Sequence, residues 1–405
     1  MTDLKRFVMT VYGLVLSTLI GLLASAFLIL ENTLSEWLWQ PTSLIVRMLL
    51  VGLGAGLLIA LLKRWPQMPQ TAQTAMAMFK KHQFGDYRLV FVNLLMTLVI
   101  LSFGAGVGPE AALLSAIIML SSWQADKIRY LYFNYDQLMA VPVRTRLQQL
   151  FTFNAYLQGY DAQLAVKSPR LLRQKRLLYL VFSLNGLFAF AVLMRQTDQP
   201  SFVTKLGATT WQWHDLWLLL PLIVGAVIYG RTWRWLGQQW QRLVERLALP
   251  LAVKVAAGAI GILVVAGLAP DLLFSGQHSV HLLIGTWRTA SPWFLTGMTA
   301  LKLIFLAWCL QFHWRGGDIF PVLFASLAQG FAVAAWLPSF DALFVVAVVA
   351  TGMAGSLLDS PIVAGIMVLL FCPVNLWLVI LISTLILVLE PRLFKKLTEF
   401  KLKRS

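Results

Sequence analysis

Two short stretches bring glycine, proline and acidic residues together inside otherwise apolar sequence. The first holds Gly104, Gly106, Gly108, Pro109 and Glu110, and the second holds Gly316, Gly317, Asp318, Ile319, Phe320 and Pro321. Glycine and proline at this density break one helix, and a proline in the next first turn surrenders only an N–H that had no intrahelical acceptor. Each stretch therefore reads as a helix start. A helix start presents several amides and a partial positive charge. Inside a membrane it is tolerated only when buried or lining an aqueous cavity. A small anion satisfies such amides, and glycines let the backbone approach it closely. The chemistry on offer is anion binding by main chain; the same residues also fit a pair of tight turns.

The ionisable residues in apolar sequence each have two readings. Glu110 is a functional candidate because it lies in a membrane segment, yet a first-turn carboxylate also complements the helix dipole. Asp318 meets the same dipole and would repel an incoming anion, which favours a role orienting Arg315 or the loop. Asp359, ahead of Ser360 and Pro361, reads as a helix N-cap. Lys302, within Leu301–Leu310, is either a cationic attractor for anions or a snorkelling side chain. His313 is a lone interfacial histidine. Cys309 and Cys372 are the two cysteines; both sit in apolar sequence as buried thiols, without metal-ligand spacing or a disulfide framework. No HExxH, carboxylate–histidine constellation or phosphate loop occurs, so no enzyme, metal or cofactor is expected. The glycines of Val51–Gly56 suit close helix packing.

The elements that must position these residues are membrane helices. The 405 residues are 59% hydrophobic and 12% charged, about half the charge of a soluble domain, and the mean hydropathy is +0.74. Sixteen tryptophans suit membrane interfaces. The net charge of +16 sits between apolar runs, where cytoplasmic loops belong, and this argues against a nucleic-acid partner. Spans are expected at Phe7–Leu30, Leu44–Leu62, Leu177–Met194, Leu216–Tyr229, Leu251–Leu268, Trp293–Phe312, Ile319–Trp336, Leu343–Leu358, Ile362–Phe371 and Leu376–Leu389. Leu89–Ser122 enters and returns on one side, broken at its glycines. The first span, about 24 residues, exceeds a signal-peptide core and is read as retained.

Charge sets the orientation. Glu31 and Glu36 mark an external loop, whereas Lys63, Arg64, Lys80, Lys81 and Arg88 mark an internal one. Trp123–Arg176 carries nine Lys/Arg against three Asp, Arg231–Arg246 is a basic loop, and Arg392–Ser405 has six Lys/Arg and one Glu. Both termini are therefore expected in the cytoplasm of a multi-pass protein of the cell (plasma or inner) membrane. The two breaks fall at matching places in the two halves, the pattern that marks a transport site. The expected organisation is a first membrane repeat at 1–195 with a basic insertion at about 123–176, a second repeat at 196–391, and a basic tail at 392–405.

Arg315–Gly330 (RGGDIFPVLFASLAQG) resembles the GGIFAP signature of the CLC family of chloride channels and chloride/proton exchangers. Phe344–Phe371 is similar to the paired helices that follow it, and Gly104–Ala116 (GAGVGPEAALLSA) resembles that family's G-[KR]-E-G-P motif. Trp65–Pro69 stands where the family has G-S-G-I-P, with only Pro69 kept. The resemblance spans about Phe7 to Phe394. It implies an all-α polytopic membrane fold of broken and re-entrant helices in two inverted repeats, a homodimer in the lipid bilayer, and one path per subunit for chloride or another small anion. It puts the anion-binding backbone at Gly106, Val107, Gly108, Ile319 and Phe320, with Glu110 as a possible gate. The departures are informative. Val107 stands at the gating glutamate, Pro66 at the serine, Leu193 at the inner proton-relay glutamate, and Leu393 or Phe394 at the tyrosine. The expected function is a chloride channel or uncoupled anion transporter. The alternatives are an anion/proton antiporter using Glu110, or a non-transporting membrane scaffold.

Overall fold

The computed structural model describes residues 3–40, 43–70, 72–82, 86–164, 168–197, 205–276 and 279–402, with backbone alone for 72, 73, 78, 80, 82 and 391–402. The side chains of Lys80, Lys167, Leu393, Phe394 and the basic tail lie outside the described residues. The helices are α1 (Asp3–Trp39), α2 (Leu44–Arg64), α3 (Ala72–His82), α4 (Val90–Ser102), α5 (Glu110–Phe133), α6 (Tyr135–Ala140), α7 (Val143–Phe151) and α8 (Pro169–Arg195). They are followed by α9 (Leu216–Arg246), α10 (Leu251–Leu268), α11 (Ser279–Thr286), α12 (Pro292–Gln311), α13 (Ile319–Trp336), α14 (Ala342–Leu357), α15 (Pro361–Phe371) and α16 (Trp377–Leu402). Among the described residues, seven helices are long and apolar enough to cross a membrane. α4, α14 and α15 are shorter apolar helices. The chain forms two compact units. One comprises Met1–Gln40, Ala60–Ser102 and Pro109–Gln199; the other comprises Pro41–Ile59, Phe103–Gly108 and Pro200–Ser405.

The first unit is organised on α1, which packs on α8, α5 and α4. Gly21 of α1 meets Gly186 of α8 so closely that an added methyl at Gly21 would overlap the Gly186 carbonyl. Small residues that let backbones touch are the usual means of joining helices in lipid. Asn185 Nδ2 adds contacts to Leu14 O (3.0 Å), Ser17 Oγ (2.9 Å) and Thr18 Oγ1 (2.8 Å). The segment between α5 and α8 is docked rather than loose. The fully buried Lys127 donates from Nζ to the carbonyls of Gln149 (2.7 Å), Ala155 (2.9 Å) and Tyr156 (3.3 Å). Arg129 pairs with Asp126, and Phe153 stacks on Trp123.

The second unit is built around α13 and α14. Phe320–Ala332 and Leu343–Gly355 are buried without exception, as expected for helices apolar on every face. They cross where Gly330 lets Val346 approach, its missing methyl being 2.9 Å from Val346 Cα. Asp341 caps α14 by accepting from Phe344 N (2.9 Å) and also accepts from Thr209 Oγ1 (2.6 Å) and Thr210 N (2.9 Å).

Several helices outrun their hydropathy. α1 continues through Glu31 and Glu36, where a loop was expected, helped by Asn32 donating to Glu36 (3.0 Å) and Ser35 to Glu31 (3.3 Å). The basic stretch Arg231–Arg246 is the continuation of α9. Trp123–Phe133 belongs to α5 and Pro169–Arg176 to α8, so the connecting segment between those helices is 134–168. Asp359 is not a cap. Ser360 holds that position, and Asp359, at φ +54°, pairs with Arg234 through Nη1–Oδ1 (2.8 Å) and Nη2–Oδ2 (2.9 Å).

Candidate functional site

The first break follows α4. The chain passes through Phe103–Gly108, all buried, with Gly104 at φ +88°, a left-handed conformation that glycine adopts without strain. The second break follows α12 and ends at Asp318, the N-cap of α13. Before it, His313 adopts φ +66°. Trp314 is fully buried, donating from Nε1 to Val255 O (3.0 Å) and from its amide to Cys309 O (3.0 Å).

Within the second unit the breaks are stitched together. Gly108 N donates to Gly317 O (2.8 Å) and Gly317 N donates to Gly108 O (2.7 Å), an isolated antiparallel bridge. Beside it, fully buried Val107 fills the space at Gly316, where an added methyl would lie 2.5 Å from Val107 Cγ2. Gly106 N donates to Cys309 Sγ (3.3 Å), and Phe305 packs on Gly106 so closely that a methyl there would come within 2.5 Å of the ring.

Sequence reasoning missed Phe305 and Cys309 as supports of the first break. Their signal was spacing: Lys302, Phe305 and Cys309 recur at i, i+3 and i+7, one stripe of α12. Lys302 neither snorkels nor faces solvent. It is fully buried, and its Nζ donates to the carbonyls of Leu272 (2.9 Å) and Phe274 (2.5 Å), holding the turn after α10.

A helix leaves its first amides without intrahelical acceptors. In α13 the ladder begins with Val322 N donating to Asp318 O (3.0 Å), and Pro321 has no N–H. Asp318 makes no side-chain cap bond and, among the described residues, no ion pair with Arg315. Of the five expected anion-binding residues, Gly106 and Gly108 thus have amides engaged by protein acceptors. Val107, Ile319 and Phe320 belong to the same unit. Glu110 opens α5 in the first unit, half-buried. Pro66 is exposed in the turn after α2, and Leu193 lies in the last turn of α8.

A family profile described as "Voltage gated chloride channel" matches residues 173–388, more than half of the chain. The chloride channel protein CLC-f of Arabidopsis thaliana is 28% identical over 136 residues, covering 32% of this chain and 17% of that protein. The chain is thus matched to less than a fifth of that relative's length. Two solved structures share the fold. A slow cyanobacterial Cl⁻/H⁺ antiporter superposes with a TM-score of 0.66 at 16% identity over 94% of both chains. A CLC-type fluoride/proton antiporter gives 0.63 at 14% identity over 96% of both. The broken helices, the GGDIFP stretch and this profile lead to one assignment: the chain belongs to the voltage gated chloride channel (CLC) family.

Proposed function

We propose that this protein moves chloride or a similar small anion through the membrane without coupling it to protons. One observation carries the reading: the position of the family's gating glutamate is taken by Val107, an aliphatic side chain fully buried against Gly316. Valine neither competes with an anion nor carries a proton. Leu193, at the inner relay position, does not titrate either. The anion is held by main chain around Val107 and the start of α13 at Ile319 and Phe320. Gly106 and Gly108 contribute once the Gly108–Gly317 bridge parts. The working unit is a homodimer in the cell membrane, with both termini cytoplasmic and membrane repeats at 1–195 and 196–391.

A second reading is an anion/proton antiporter in which Glu110 replaces the missing glutamate. It is favoured by the position of Glu110 at the first residue of α5 and by both structural relatives being proton-coupled antiporters.

The test is anion efflux from liposomes holding the purified protein, with and without a proton gradient. Chloride or fluoride efflux indifferent to the proton gradient is expected. Uphill proton movement driven by an anion gradient would replace this reading with the second. Efflux no faster than from protein-free liposomes would leave a non-transporting scaffold.

A further inference from the structure

Outside the breaks, the head of α8 carries a cluster of cations. Arg170, Arg173, Lys175 and Arg176 are all exposed, and no acidic residue occurs between Asp161 and Asp198. Among the described residues none of the four has an ion-pair partner. Among the described residues, the same helix continues into the least covered candidate span: 11% of its apolar stretch is buried, against 22–78% for the other six. Its buried side, Phe182 and Ala189 with Gly186 between them, serves the α1 crossing. The opposite stripe runs Arg170, Arg173, Leu177, Leu180, Leu184 and Leu187, spaced 3, 4, 3, 4 and 3, and every member is exposed. That spacing places them in one row along the helix.

We infer that this stripe is a docking site for an anionic phospholipid, its phosphate headgroup on Arg170 and Arg173 and its acyl chains along Leu177–Leu187. Dimensions agree. α8 has 27 residues, about 40 Å at 1.5 Å per residue, whereas the hydrocarbon core is about 30 Å thick. With the apolar part from Leu177 onward in the core, the first two turns stand at headgroup depth. Helical side chains lean toward the N-terminus, so both arginines reach outward along the headgroup layer. Arg offers a planar fork that matches phosphate. Lys175 lies over the Tyr179 ring at 5.6 Å, an interfacial aromatic beside the cations. The four uncompensated charges match one anionic headgroup and the naked stripe matches its tails. A free phosphate uses only the first of these features.

The experiment uses the full-length protein in phosphatidylcholine nanodiscs doped with photoactivatable phosphatidylglycerol, the crosslinks mapped by peptide mass spectrometry. Labelling concentrated in 170–187 is expected, suppressed by unlabelled phosphatidylglycerol but not by phosphatidylcholine or inorganic phosphate. Each cation near an anionic surface is worth about fivefold in association. R170Q/R173Q should therefore cut this labelling at least about fivefold, with melting in pure phosphatidylcholine unchanged. R242Q/R246Q, at the end of α9, should leave it intact. Undiminished labelling in R170Q/R173Q, equal labelling of the α9 end, or suppression by inorganic phosphate would each overturn the proposal.

Discussion

Val107 occupies the hollow of Gly316, and the Gly108–Gly317 bridge lies immediately beside that contact. Gly316→Ala places a methyl 2.5 Å from Val107 Cγ2 and 3.2 Å from Gly108 O. Overpacking of this kind costs about 1–3 kcal/mol. The expected outcome is a lower melting temperature, with faster amide exchange at Gly108 and Gly317. Val107→Ala in the same chain removes the nearer contact but keeps Cβ at 2.8 Å, so it should restore only part of the loss. A variant that melts like the wild type would show that the two breaks are not held together by this contact.

Glu110 separates the two transport readings. In an uncoupled conduit, Glu110→Gln changes nothing in the proton dependence of flux, because no uphill proton movement exists to lose. Its structural effect is small: loss of a first-turn carboxylate, typically about 0.3–1 kcal/mol. Proton-driven flux in the wild type that disappears in Glu110→Gln would assign the carboxylate to the transport path.

Lys302→Met keeps the length of the side chain but leaves the Leu272 and Phe274 carbonyls without their donor. The Leu272 carbonyl is on a buried residue, and an unsatisfied buried acceptor costs about 1–3 kcal/mol, so a loss of at least about 1 kcal/mol is expected in chemical denaturation. Lys127→Met in the first unit removes the donor to three carbonyls, but Ala155 and Tyr156 are exposed, so it should cost less per bond. Were Lys302 an attractor for anions, the variant would instead keep its stability and lose flux.

The Arg234–Asp359 pair sets a pH dependence. The hydrogen bond from Arg234 holds the Asp359 carboxyl below the usual carboxylate range. Its contribution is therefore present above the unfolded value near 4 and lost as pH falls through the folded value. Asp359 is largely exposed and Arg234 half-buried, and solvent-screened pairs of this kind are worth below about 1 kcal/mol. Arg234→Gln should lower the melting temperature slightly at pH 7, and the difference from wild type should be smaller at pH 3. An equal difference at both pH values would mean that the arginine acts through packing alone.

The two breaks and most spans were legible because glycine, proline and hydropathy act locally. The ends of α1, α8 and α9 were not, because polar residues extend a helix once i, i+4 pairs and packing support it, as Asn32–Glu36 does. The site's supports were hidden for a different reason. Cys309 and Gly106 are 203 positions apart, and Lys302 meets carbonyls 28 and 30 positions away. No local pattern reports contacts at such separations. Asp359 was misread because Asp ahead of Ser-Pro is common at caps, while its true partner, Arg234, lies 125 positions away.

The interleaving of the two units has a consequence for biogenesis. Pro41–Ile59 and Phe103–Gly108 are synthesised early, but their unit is otherwise made of Pro200–Ser405. Gly108 meets its partner only after Gly317 has left the ribosome. For all that time, these two segments of the nascent chain have each other, where Gly54 meets the Phe103 ring, but none of their later partners from Pro200–Ser405. Loops this long close slowly, so the interval is one in which membrane chaperones and quality-control proteases have access to the first break. A chain halted before Gly317 never forms the Gly108–Gly317 bridge, and that missing bridge is a difference by which surveillance can tell an unfinished molecule from a finished one.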